Sequence, residues 1–366
     1  MIYDALERLP ESMAAVVCYG PQDYRFEEWR VPEPAAGEVV LRVETVGICA
    51  SDLKCWLGAP LFWGKDGKSG YTQPPVIPGH EFVGRVVALG EGAGEKYELK
   101  LGDAAVSEQI VPCQKCRFCQ RGQYWMCPNG DVYGFRQHAF GAMAQYILLP
   151  RNAINYKVPD TVPLAHAAFI EPLGCSIHAV QRAQIELGDV VVIAGAGPLG
   201  LGMVAAARMK SPRLLIVIDL NDQRIELAKA CGADMGLNPS KIDVVDEVLK
   251  LTEGYGCDVY IEATGHPMAV QQGLDMIRRL GTFVEFSVMR EPVTVDWTII
   301  GDLKELTIHG SHLSPYCYPI AIDMLAKGLL PMDRIMTHSL PLSDFQAGID
   351  LVHKGTESIK VTLRPN

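Results

Sequence analysis

The arrangement of apolar and polar positions changes character along the chain, and the change divides it. From Met13 to Val46 the two kinds alternate, as in Val39-Val40-Leu41-Arg42-Val43-Glu44-Thr45-Val46, with Pro32, Pro34 and Gly37 interrupting. Alternation broken by turn formers predicts short strands. Gly58 to Pro78 is heavy in glycine, proline and aromatic residues, including Leu61-Phe62-Trp63-Gly64, and predicts a long loop. Another strand follows over Phe82 to Gly90, and small strands and turns continue to about Pro150.

Beyond Glu171 the pattern differs. Pro172 suits the first turn of a helix through Val180, which puts Glu171 at its start. Asp189-Val190-Val191-Val192-Ile193-Ala194 is a nearly continuous apolar run, as a strand buried on both faces requires. Similar runs recur at Asp258–Gly265 and Gly281–Val288 with helical stretches between, the repeat of a doubly wound α/β sheet. Helices are predicted at Tyr318–Lys327 and Phe345–Lys354, then a strand at Lys360–Leu363, returning to the first domain. The expected organisation is one β-rich domain, residues 1–171 and 313–366, with a second domain, 172–312, inserted into it.

Composition narrows the function. A chain of 366 residues with 48% hydrophobic and 21% charged residues fits a folded protein of two domains. The net charge of −10 argues against a nucleic-acid surface or a polybasic membrane contact. Met1 to Pro10 has no secretion-signal pattern and no apolar run reaches spanning length, so the expected location is the cytoplasm. Eleven cysteines, several at metal-type spacing, favour reduced thiols and zinc over disulfides.

Three groups of residues carry chemistry. Cys49 and the pair His80-Glu81 offer sulfur, nitrogen and oxygen donors of the kind zinc takes, although a buried cysteine and a scaffold histidine are the commoner explanation of such residues taken singly. Cys113, Cys116, Cys119 and Cys127 lie within fifteen residues and can close a tetrahedral thiolate shell, which predicts a structural zinc lobe over 113–127. An iron–sulfur site also uses four cysteines, but neither ferredoxin spacing matches. Gly195-Ala196-Gly197-Pro198-Leu199-Gly200 follows a strand and opens a helix, the context in which such glycines admit a dinucleotide pyrophosphate. Asp219, nineteen residues after Gly200, can accept from the adenosine ribose and would repel an added phosphate, favouring NAD; Arg224 nearby tempers that preference.

Taken together, Gly47-Ile48-Cys49 with Ser51-Asp52, the run from Gly79-His80-Glu81 through Gly84 to Gly90 and Ala93, the cysteine lobe, Glu171-Pro172-Leu173 and the glycine fingerprint resemble the zinc-dependent medium-chain dehydrogenases. The resemblance covers nearly the whole chain and implies a GroES-like domain followed by a Rossmann domain. Glu171-Pro172-Leu173 is similar to the sorbitol and threonine dehydrogenase branch, where glutamate replaces a cysteine ligand. It implies a catalytic zinc held by Cys49 and His80, with Glu81 and Glu171 competing for the remaining positions, directly or through water; Cys175 is a less suited substitute. It also implies Asp52 behind His80, Ser51 receiving the substrate's hydroxyl proton, and Lys54 where much of the family has a relay histidine. Trp56, Phe62 and Trp63 are the expected substrate contacts. The implied protein is an NAD-dependent oxidoreductase with two zinc ions per chain and a homo-oligomeric state, oxidising a secondary hydroxyl of a small, four-carbon sugar alcohol to a ketose. A threonine-type amino alcohol dehydrogenase and a non-catalytic zinc- and nucleotide-binding protein are the alternatives.

Overall fold

The computed structural model describes residues 3–6, 8–289 and 291–366; Met1, Ile2 and Glu7, part of the stretch read for a leader, lie outside the described residues, as does Arg290. Two compact units emerge, one of Met1–Glu171, Ala321–Lys327 and Ile335–Asn366, the other of Pro172–Ile320 and Gly328–Arg334.

The first unit is built on an eight-stranded sheet. At its centre Val39–Gly47 pairs antiparallel with Glu81–Gly90, and the register sets Gly47 opposite Glu81. The chain therefore leaves one strand toward Cys49 where the other begins with Glu81. On the far edge of Val39–Gly47, Lys360–Arg364 pairs through Gly47↔Thr362 and Val46↔Leu363, bringing Lys360 to the same end. Val39–Gly47 is buried except at Arg42 and Glu44, where an ion pair of 3.6 Å explains the polar positions in an otherwise apolar strand. Val16, Leu41, Val43, Val46, Phe82, Val361 and Leu363 belong to the core beneath.

The loop predicted over Gly58–Pro78 is ordered in part. It contains a short helix, Pro60–Trp63, and a small hairpin of Gly64–Lys65 with Lys68–Ser69. Its aromatics supply their own core: Phe62 is buried and stacks on Phe135 at 5.1 Å, and Trp63 Nε1 donates to Cys55 O at 2.7 Å. Such satellite clusters form where a long segment buries its own apolar side chains.

The second unit is a six-stranded, wholly parallel sheet in the order Met235–Leu237, Leu214–Ile218, Val190–Ala194, Cys257–Glu262, Ile277–Glu285, Thr307–Gly310. All five residues of Val190–Ala194 are buried, as both-face burial demands. Chain order reverses beside this strand, and doubly wound sheets bind ligands at the carboxyl ends on either side of such a reversal. Asn221 and Asp243 cap the helices Asp222–Ala230 and Val244–Leu251 by accepting from their first-turn N–H groups. No helix among the described residues is long and apolar enough to cross a membrane.

Candidate active site and metal centres

In the first unit Cys49 sits immediately before the helix Ala50–Trp56, and its N–H donates to Asp52 Oδ2 at 2.9 Å, a side chain closing the first turn. Ligand atoms of Cys49, His80 and Glu81 all lie within 4.8 Å of one another, with His80 and Glu81 buried. His80 is held from both sides: Nδ1 faces Asp52 Oδ1 at 3.7 Å and Nε2 lies 3.5 Å from Ser51 Oγ. Burial works against a charged His80, yet the Asp52 carboxylate, with Cys49 and Glu171, raises its pKa well above the ordinary imidazole value. Burial in turn raises Asp52. Acidic groups that drive a neighbouring imidazole toward the cationic form are the surroundings a bound cation would satisfy.

Two polar residues not singled out in the sequence complete these surroundings. Lys360, fully enclosed, forms an ion pair with Glu81 and donates from Nζ to Ile48 O at 3.1 Å. Gln109 Nε2 donates to Glu171 Oε1 at 2.5 Å. Glu171 thus stands outside the Cys49–His80–Glu81 group, although its charge reaches both His80 and Lys360. The signal for Lys360 was a lone cation opening the apolar run Val361-Thr362-Leu363; Gln109 carried no local signal.

Lys54 is half-buried on the same short helix as Ser51, three residues on. Trp56 packs edge-on against Tyr24 with centroids 4.9 Å apart. Phe62 lies inside the loop's own core, while Trp63 is half-buried. Phe135 links this cluster to the site, with its ring 5.7 Å from that of His80. Cys175 falls in the second unit, buried on the helix Ile170–Ala183 that begins beside Glu171.

The four lobe cysteines also converge, with all four sulfurs within 4.8 Å. Cys116 Sγ lies 3.5 Å from Cys119 Sγ and 3.8 Å from Cys127 Sγ. The Lys115 N–H helps lower the Cys113 thiol to about 6. Burial and neighbouring sulfur push Cys119 up to about 12. Sulfurs packed this closely, with backbone N–H groups aimed at them, suit thiolates around one cation. Both donor sets fit zinc: four thiolates in the lobe, and sulfur, imidazole and carboxylate at Cys49, His80 and Glu81, where the buried His80 Nδ1 and Asp52 Oδ1 have no hydrogen-bond partner of their own.

In the second unit Gly195 has φ +103°, and a Cβ there would lie 2.9 Å from Ala263 O. A Cβ at Gly200 would collide with Gly195 O. Gly197 differs, because a Cβ on it would meet nothing within 4 Å. The space over Gly197, at the N-terminus of the helix Pro198–Arg208, is open, and no side chain caps that terminus; Leu199 N–H and Gly200 N–H lie in its first turn. This fits a pyrophosphate, which favours the positive end of a helix. Asp219 braces the loop: Oδ2 accepts from Ala196 N at 2.7 Å and Oδ1 from Asn221 N at 2.8 Å. Each carboxylate oxygen retains a second acceptor site. Arg224 is half-buried in the first turn of the next helix, its N–H donating to Asn221 Oδ1 at 3.3 Å.

Comparison with known proteins bears on these sites. The model of the alcohol dehydrogenase GroES-like domain matches residues 35–160, and that of the zinc-binding dehydrogenases matches 198–327. The chain is 54% identical over 358 residues to an erythritol/L-threitol dehydrogenase of Mycolicibacterium smegmatis, spanning 98% of this chain and 99% of that one. It is 35% identical to an L-threonine 3-dehydrogenase of Pyrococcus horikoshii, over 95% and 97% of the two chains. Among solved structures, the 2R,3R-butanediol dehydrogenase of Bacillus subtilis superposes with a TM-score of 0.86 at 28% identity, covering 97% of this chain and all of the other. With a GroES-like domain carrying the metal-type donors and a Rossmann domain carrying the glycine fingerprint, the chain belongs to the zinc-dependent medium-chain dehydrogenases, a family of oxidoreductases that use a pyridine nucleotide.

Proposed function

We propose that this protein is an NAD-dependent polyol dehydrogenase that oxidises a secondary hydroxyl of a small sugar alcohol, of the erythritol or L-threitol type, to a ketose. The observation that carries the reading is the convergence of Cys49, His80 and Glu81 beside Ser51, in a chain 54% identical to an erythritol/L-threitol dehydrogenase along nearly its whole length. Cys49 and His80 would hold the catalytic zinc with Glu81 and Glu171, and Cys113, Cys116, Cys119 and Cys127 a second, structural one. The catalytic ion supplies a Lewis acid for the substrate hydroxyl, and the dinucleotide supplies the hydride acceptor.

The remaining work falls to this chain. Ser51 Oγ takes the proton leaving the substrate hydroxyl. Asp52 fixes the orientation of His80, and Lys360 offsets the charge of Glu81. Lys54, one helical turn from Ser51, is the proposed far end of the proton path. Trp56, Phe62 and Trp63 shape the substrate side, Phe62 through Phe135 and thence His80. Gly195, Gly197, Pro198, Leu199 and Gly200 receive the pyrophosphate, and Asp219 with Arg224 sets the preference for NAD over NADP.

The Thr307–Gly310 strand ends its sheet among the described residues, with Ile308 42% exposed, which supports a homo-oligomer, and two thiolate-bearing metal sites support a reducing, cytoplasmic location. The test of function is NADH formation with erythritol, both threitols, sorbitol and L-threonine, each with NAD and with NADP. Four-carbon polyols with NAD are expected to give the highest kcat/KM. Turnover of L-threonine without turnover of any polyol would overturn the reading in favour of an amino alcohol dehydrogenase.

A further inference from the structure

The segment Ser107–Cys113 leads from the Ala104–Ser107 strand to the first lobe cysteine and carries two consecutive polar side chains, Glu108 and Gln109, each 1% exposed. Glu108 is bound into the lobe: Tyr124 OH donates to its two oxygens at 3.0 and 2.8 Å, and Tyr156 OH to Oε1 at 2.9 Å. Tyr124 opens the turn that ends at Cys127, whose N–H donates to Tyr124 O at 3.0 Å. Gln109, at a bend in the backbone, has a different partner, its amide donating to Glu171 Oε1. The backbone between is pinned as well, with Glu108 N donating to Ile154 O at 2.9 Å and Gln109 O accepting from Tyr133 N at 3.0 Å.

The two carboxylates of the site are therefore held by different means. Glu81 is paired with the Lys360 ammonium, and Glu171 accepts from the Gln109 amide, a neutral donor. We propose that Gln109 is a positioning residue for Glu171, and that the 107–113 segment is a strut through which the four-cysteine lobe sets the geometry of the catalytic metal site. This rests on the reading of Glu171 as part of that site. It assigns the lobe a task beyond local stability: its closure fixes Tyr124, Tyr124 fixes Glu108, and the residue after Glu108 holds the carboxylate.

The test uses the full-length holoprotein and two zinc-site readouts that need no substrate: release of zinc to a chelator and the visible spectrum after cobalt substitution. Gln109→Leu keeps the side-chain bulk and removes the donor; Gln109→Asn keeps the amide but withdraws it by one methylene. Release from the non-lobe site is expected to quicken about 10–100-fold in the first and less in the second, with an altered cobalt spectrum and a lower kcat at little-changed KM. Tyr124→Phe, which removes the phenol hydroxyl from Glu108, is expected to shift release from that site in the same direction by a smaller factor. Unchanged release and spectrum in both Gln109 variants would overturn the positioning role, and an effect of Tyr124→Phe confined to the lobe would overturn the strut. If the wild type oxidises no polyol, the proposed function fails while both metal readouts still decide this one.

Discussion

Glu81 and Lys360 have side chains only 2% and 3% exposed, so neither charge is solvated apart from the other. Lys360→Met would leave a buried carboxylate uncompensated and is expected to cost about 3–5 kcal/mol in unfolding free energy. Adding Glu81→Gln should recover much of that loss, and chemical denaturation of the metal-free single and double variants checks the pair; a single variant as stable as wild type would refute it. Asp219 offers a second prediction. Its oxygens already accept from Ala196 and Asn221, so Asp219→Ser removes both a brace of the glycine loop and the charge proposed to repel a 2′-phosphate. The ratio of kcat/KM for NAD to that for NADP should fall at least about tenfold, about 1.4 kcal/mol, while affinity for either dinucleotide weakens. Cys49, His80 and Asp219 could be singled out as candidates in the sequence because each lies in a local motif. Lys360 and Gln109 were not, because their meaning depends on partners far away in the chain, 62 residues in the case of Gln109 and Glu171.

Among the elements, the lobe gives the cleanest expectation. Cys116 Sγ contacts both Cys119 Sγ and Cys127 Sγ, so Cys116→Ser breaks the shell. Zinc content measured by atomic emission should fall from about two ions per chain to about one, in keeping with one closed four-ligand site and one separate site. A variant still holding both ions would contradict the assignment. The strands of the second unit were readable because burial on both faces forces continuous apolar runs. The helix Pro60–Trp63 and its hairpin were not, since four residues of helix and two of strand are too short for either period to register. What the loop's composition did reveal was its aromatic content, and the structure shows where much of it goes: Phe62 fills a core of its own with Cys55 and Phe135.

For the molecule as a whole, pH dependence of stability has an identifiable contributor in Glu285, opposite Glu262 in the parallel sheet. Burial, helped by the Glu262 charge, pushes Glu285 from its ordinary 4.5 up to about 7. The folded protein then holds a proton that the unfolded chain releases first, so this group lowers stability as pH rises from the unfolded value to the folded one. After allowance for partial solvent exposure the effect is about 1–2 kcal/mol. Relative to Glu285→Gln, the wild type should lose stability between about pH 5 and about pH 8 in denaturant titrations; a constant difference would exclude Glu285 as the source.

The buried ammonium of Lys360 also has a consequence in time. Lys360 and the Ile48 carbonyl that accepts its hydrogen bond are 312 residues apart, and the whole six-stranded sheet is encoded between them. On a ribosome, Cys49, His80 and Glu81 emerge early, but the cation that balances Glu81 emerges only after the nucleotide-binding sheet has been made. A nascent chain would carry these donors without their counter-charge for most of its synthesis, so an ion at the proposed catalytic site would reach its final geometry only at the end of translation, whereas the four cysteines of the lobe, contained within fifteen residues, could close around one long before.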